Sequence, residues 1–301
     1  MMNQQFAEPE WQSAEQRNVN TDPREQFMYN PPPVNDFYQK IQPQPRRRRR
    51  LWPLFVVVII LGFLLVGGIS AGVGFQNTVV ETHTYAVSAH PTLVINDNNG
   101  SITIHRGAAD SQLTIQANKH IGIGNAPSVE YNQSGNTMTA TAQGGSDFGL
   151  SGGNVDFDVT VPSNTDLQLH TNAGSIDVNG VSGTMSLTTN AGSVTATQDT
   201  LSGQSALKSN AGSITFDGSI IANGQYEFAT NAGSVNVTLP DTPAFHVDAR
   251  TNAGSISSDF ASVNIESNSG VGHDAHGDVG SSPTAQVTLQ TNAGSIDIHR
   301  R

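Results

Sequence analysis

The sequence contains no cysteine, which removes disulfides, thiolate metal centres and a cysteine nucleophile together. Charged residues supply only 13% of it and aromatics 6%. With 30 Gly among 301 residues and abundant Ser, Thr and Asn, the composition suits many short strands joined by tight turns and argues against a helical bundle. No P-loop, G-x-S-x-G elbow or H-E-x-x-H pair occurs, so the short signatures of phosphate binding, serine hydrolysis and zinc proteolysis are missing.

Cations are scarce beyond the N-terminal segment. Residues 1–50 carry eight Lys/Arg against six Asp/Glu, whereas residues 75–301 carry six against nineteen, a balance of −13 within a net charge of −11. A surface this acidic repels phosphates, so no nucleic acid is expected as a partner.

What is present begins with Arg46, Arg47, Arg48, Arg49 and Arg50, followed directly by LWPLFVVVIILGFLLVGGISAGVG. No charge interrupts the 24 residues from Leu51 to Gly74. As a helix they would span about 36 Å, against about 30 Å of hydrocarbon. Pro53 falls in the first turn, where its missing N–H does no harm, and Trp52 falls at headgroup depth. The five arginines are expected to stay in the cytoplasm. A 50-residue leader exceeds an ordinary n-region, so the run reads as an uncleaved signal anchor rather than a cleaved signal peptide.

This predicts a single-pass protein of the cell membrane with its C-terminal domain outside. Residues 1–50, with their Pro-rich NPPPVNDFYQKIQPQP, read as a disordered cytoplasmic tail. Residues 51–74 read as the transmembrane helix in contact with the lipid bilayer, 75–90 as a juxtamembrane linker, and 91–301 as the folded ectodomain.

Within the ectodomain one word recurs. TNAGSI at Thr171–Ile176 returns at Thr291–Ile296, and NAGS recurs between them at Asn190, Asn210, Asn231 and Asn252. From Asn172 the intervals are 18, 20, 21, 21 and 40, the last matching two turns of about 20 residues.

Apolar residues hold fixed offsets from the Asn. Leu169, Leu187, Leu207, Phe228, Ala249 and Leu289 stand three before it; Ile176, Val194, Ile214, Val235, Ile256 and Ile296 stand four after. Alternation of this kind predicts strands on either side of a bend. The glycines Gly174, Gly192, Gly212, Gly233, Gly254 and Gly294 supply the unusual backbone a corner requires.

A unit of about 20 residues cannot bury its apolar face alone, but stacked copies can. The fold class expected is all-β, a β-solenoid of stacked coils. Asn172, Asn190, Asn210, Asn231, Asn252 and Asn292 would then form a structural hydrogen-bonded ladder, joined by Asn98 from the fainter copy LVINDNNGSITI. VNIESNSGVG is a second faint copy. Residues 105–165 lack the word and predict irregular coils or an inserted hairpin. Residues 75–92 are expected to cover one exposed end of the stack, and Arg300 and Arg301 to guard the other with charge.

These corners, the Gly-rich final loop and the closing TLQTNAGSIDI resemble the bacterial putative-adhesin domain, a β-solenoid domain of unknown function. The resemblance covers roughly residues 90–301. It implies a module held behind an anchor in the bacterial envelope, and it carries over no catalytic residues.

Chemistry-bearing candidates are few. Glu227 and Asp248 would be neighbours in the outward column four before the Asn, whereas Asp177 and Asp297 lie far apart in the column five after it. His273 and His276, in GHDAHGD, are the weak metal candidates, with Asp274 and Asp278 nearby. No cofactor is expected.

The reading that follows is a non-enzymatic adhesion or binding module whose partner is a glycan, a wall polymer or another surface protein. The alternatives are an envelope sensor acting through its cytoplasmic tail and, more weakly, a carbohydrate-active enzyme using Glu227 and Asp248.

Overall fold

The computed structural model describes residues 78–122, 126–144, 153–268 and 271–301. The expected tail, the five arginines and the expected span at 51–74 lie outside the described residues. No helix among the described residues is long and apolar enough to cross a membrane.

The described residues form 22 strands in two sheets of eleven. Strands leading into each corner lie in one sheet and strands leaving it in the other, so each repeat is one solenoid-like coil. Chain segments Met185–Ala191, Gln204–Ala211 and Gln225–Ala232 pair in parallel, in register, residue on equivalent residue.

The apolar columns meet between the sheets. Leu169, Leu187, Leu207, Phe228, Ala249 and Leu289 are buried, as are Ile176, Val194, Ile214, Val235, Ile256 and Ile296. Phe216 and Phe228 face each other across the sheets with ring centres 5.4 Å apart. Alternation alone therefore specifies the core.

The order of the coils differs from the order of the words. The Asn292 coil is not last in the stack. Its strands, Ala285–Ala293 and Ile296–Arg300, insert between the Asn231 and Asn252 coils and pair with both.

The interval of 40 residues is therefore not two successive turns. The chain instead passes beyond the Asn252 coil and makes an antiparallel hairpin from Val263–Asn268 and Gly272–Val279. It then returns to fill the gap behind. VNIESNSGVG accordingly belongs to a hairpin strand and not to a coil.

Arg300 and Arg301 do not guard an end of the stack either. The strand Ile296–Arg300 is interior to its sheet, and Arg300 and Arg301 pair with Asp241 and Asp217.

At the opposite end the Asn98 coil stacks directly on the Asn172 coil. The intervening segment adds one further parallel coil, Thr137–Gln143 with Asn154–Val161. It also adds two antiparallel strands, Gln112–His120 and Ser128–Ser134. Thr78–Ala86 is the outermost strand of its sheet at this end, paired antiparallel with Gln112–His120.

Candidate functional site

Every letter of the repeated word has a physical task at the corner. The Asn side chains form one continuous ladder in which Nδ2 of each donates to Oδ1 of the next at 2.7–2.8 Å. It runs from Asn252 through Asn292, Asn231, Asn210, Asn190 and Asn172 to Asn98, following the spatial order of the coils.

The six glycines adopt φ of 149–154°. A Cβ on Gly212 would lie 1.9 Å from the carbonyl oxygen of Gly192, and one on Gly174 would meet Gly100 at the same distance. Both the angle and the stacking demand glycine.

The residue before each Asn was not singled out from the sequence. Thr171, Thr189, Ser209, Thr230, Thr251 and Thr291 are buried. Each hydroxyl donates to the carbonyl of the corner glycine in the adjacent coil at 2.8–3.1 Å. A small donor beneath each corner satisfies a carbonyl that would otherwise be buried unpaired.

Asp97 occupies the same place in the Asn98 corner. It is 4% exposed, and its Oδ2 has no hydrogen-bond partner. Burial pushes its carboxyl up to about 6, against the opposing bonds from the Asn99 and Asn98 N–H groups. Asp199, buried beside a bulge, accepts from the Val181 N–H at 2.6 Å. Burial raises it to about 7.

The expected neighbours Glu227 and Asp248 are not neighbours. Because the returning coil intervenes, Thr288 pairs in register with Glu227 on one side and with Asp248 on the other. The two carboxylates stand two rungs apart, roughly 10 Å along the stack. Glu227 is engaged by Lys208 at 2.7 Å and Asp248 faces His276 at 3.7 Å. Asp177 and Asp297 are separated by Thr195, Thr215 and Asn236.

His273 and His276 do not converge. An offset of three along the strand Gly272–Val279 places them on opposite faces. The His273 ring donates from Nδ1 to the Gly254 carbonyl at 2.7 Å. No group of three or more metal-binding side chains gathers among the described residues.

The principal concavity lies on the outer face of the sheet that carries the incoming strands. It is a shallow trough of about 520 Å³ over Ala206, bordered by Ser186, Gln204, Gln225, Gln286, Thr288 and Gln290. Ala206 and Ser186 are short, whereas Glu227 and the glutamines around them are long, and this difference creates the depression.

Gln204, Gln225 and Gln286 occupy one in-register column, at the same rung spacing as the Asn ladder. Unlike the asparagines, none of these glutamines takes a hydrogen-bond partner through its side chain among the described residues. A second hollow of about 300 Å³ continues towards Asn190, Asn210 and Asn231, sharing Glu227 and Gln290 with the first. The result is a hydroxyl- and amide-lined track crossing several coils, with the Lys208–Glu227 ion pair where the two hollows meet.

The family model described as Toastrack DUF4097 matches residues 92–299. The chain belongs to that family. The resemblance read from the TNAGSI corners is to this group.

Among solved structures, a "putative cell adhesion protein" from Clostridium sporogenes is 11% identical with a TM-score of 0.42, over 74% of this chain and 100% of its own. A "putative adhesin" from Bacteroides fragilis is 12% identical with a TM-score of 0.32, over 73% and 97%. A "putative lipid binding protein" from Parabacteroides distasonis is 10% identical with a TM-score of 0.27, over 74% and 98%. No curated protein matches.

Proposed function

We propose that this toastrack domain is a non-enzymatic binding module, held outside the cell membrane by residues 51–74. Its outer trough holds an extended, uncharged polysaccharide of the envelope or of another cell. The observation that carries the reading is the contrast between two amide columns on one face. The asparagines satisfy one another from coil to coil, whereas the side chains of Gln204, Gln225 and Gln286 take no hydrogen-bond partner among the described residues.

Side-chain amides both donate and accept, which matches the paired donor and acceptor character of sugar hydroxyls. Rungs about 4.8 Å apart repeat on a scale comparable to a sugar residue, so one polymer chain meets similar groups at successive coils. Tyr226 borders the trough but is buried, with its hydroxyl donated to the Leu201 and Ile221 carbonyls, so it offers no ring for stacking. Each contact is a hydrogen bond of modest worth, and affinity grows with polymer length.

The enzyme reading is disfavoured by its own residues. Glu227 and Asp248 are set apart by Thr288, and each faces a basic side chain.

Replacing Gln225 and Gln286 together by Ala removes two hydrogen-bonding groups and is expected to weaken binding roughly tenfold, at about 0.5–1.5 kcal/mol per bond. Ala206→Trp fills the trough and is expected to abolish binding. Both are measured by co-sedimentation with insoluble polysaccharide, with Thr103→Ala on the other sheet as the control. Unchanged binding in both trough variants refutes the assignment.

A further inference from the structure

Among the described residues the two sheet orders end on four edge strands, and they are not alike. Ile256–Ser258 has only three residues, while Ser128–Ser134 and Val263–Asn268 carry Glu130 and Glu266. Thr78–Ala86 runs for nine residues without proline, and its one carboxylate, Glu81, is turned onto the buried Lys119 at 2.6 Å. Val79 and Val80 on this strand are 44% and 55% exposed. A long, flat edge with so little charge invites pairing with another strand.

Its hydrogen-bonding phase is fixed. The Val87 N–H donates to the Ser111 carbonyl at 3.1 Å, so by antiparallel alternation Val79, Glu81, His83 and Tyr85 bond to the strand Gln112–His120. The N–H and C=O groups of Thr78, Val80, Thr82 and Thr84 therefore face the open edge. Ala86 faces it too, although its carbonyl already accepts from the Gln133 amide at 3.0 Å.

The strand is also complementary to itself. In antiparallel pairing centred on Thr82, all nine residues overlap, Glu81 of each copy stands opposite His83 of the other, and Val79 stands opposite Tyr85. These pairs fall at the non-hydrogen-bonded positions, where cross-strand side chains are closest. Centring on Glu81 would set two carboxylates face to face. Centring on His83 would leave Glu81 opposite Tyr85.

We propose that the protein forms a two-fold dimer through this edge, Thr78–Ala86 pairing with the same strand of a second copy about Thr82 and joining two eleven-stranded sheets into one. A nine-residue edge is smaller than a standard interface, so the dimer is concentration-dependent.

The full chain in detergent tests this by its mass in sedimentation velocity across a concentration series. The wild type is expected to pass from monomer to dimer. Thr82→Pro removes an N–H that faces the open edge and makes no bond to the strand Gln112–His120. It is expected to stay monomeric while keeping the β-sheet circular dichroism of the parent.

Because the chain has no cysteine, Thr82→Cys accepts a single nitroxide label. Strong dipolar broadening, lost on mixing with excess unlabelled chain, is the expected signature, and it stands even if the proline variant fails to fold. A monomeric wild type at every concentration, a folded Thr82→Pro that dimerises as well as its parent, or a label without broadening would each overturn the proposal.

Discussion

At the corner, two substitutions of similar size differ sharply in expected cost. Gly212→Ala would drive a Cβ to 1.9 Å from the Gly192 carbonyl at a φ of 154°. The backbone strain and clash together predict a loss of roughly 3 kcal/mol or more, or no folded protein. Thr230→Val keeps the shape and removes only the hydroxyl donated to the Gly212 carbonyl, for a loss of about 1 kcal/mol in denaturant unfolding. The glycine was legible in the sequence because only glycine tolerates such a turn. The Thr/Ser column was not, since a buried hydroxyl gains its meaning from a carbonyl in another coil. Asp97 follows from that column. Its stacked neighbour is the Val155 carbonyl, which a Cβ on Gly100 would meet at 1.9 Å, in the same relation that Gly174 bears to Gly100. A carboxylate there faces an acceptor, and only its protonated form can donate as threonine does. Its carboxyl is raised to about 6 and that of Asp199 to about 7. The folded state therefore binds more protons than the unfolded state between about pH 4 and those values, and stability falls as pH rises through that window. Asp97→Thr is expected to raise the melting temperature at pH 7.5 and to flatten the slope between pH 4 and 6. An unchanged pH profile would contradict this account.

Among the elements, the strands and their inward faces could be read from period-two alternation, but the order of the coils could not. Six copies of nearly the same word give every coil the same corner, so local sequence does not say which coil stacks on which. The 40-residue interval fits two turns as well as an excursion and return, and the hairpin residues alternate as coil residues do. That ambiguity moved Thr288 between Glu227 and Asp248 and separated the one carboxylate pair that looked adjacent. The inserted coil also has a consequence for stability. Ala285–Ala293 bonds Gln225–Ala232 on one side and Phe245–Ala253 on the other, although it is the last long strand in the chain. Truncation after Pro283 would leave two apolar faces and two rows of backbone groups without partners. The truncated chain is expected to lose cooperative thermal unfolding and to be cut by protease across residues 225–283. A truncated protein that melts as sharply as the parent would show that the inserted coil is dispensable.

For the molecule as a whole, composition and repeat gave the all-β stack, and the corner residues gave the family. The trough was the least legible part, because it depends on which outward residues are small where their in-register neighbours are long. Ala206 and Ser186 leave it open because both are short where the next coil carries Glu227. The glutamines around it gain significance only from having no side-chain partner among the described residues while the neighbouring asparagines bond one another. The central claim is that this face holds polysaccharide without cutting it. The most direct test incubates the purified protein with insoluble envelope and surface polysaccharides, then measures protein in the pellet and sugar in the supernatant from the same tube. Co-sedimentation that Ala206→Trp abolishes, with no sugar released, is the predicted result. Release of sugar, or no retention on any polymer, would contradict the account.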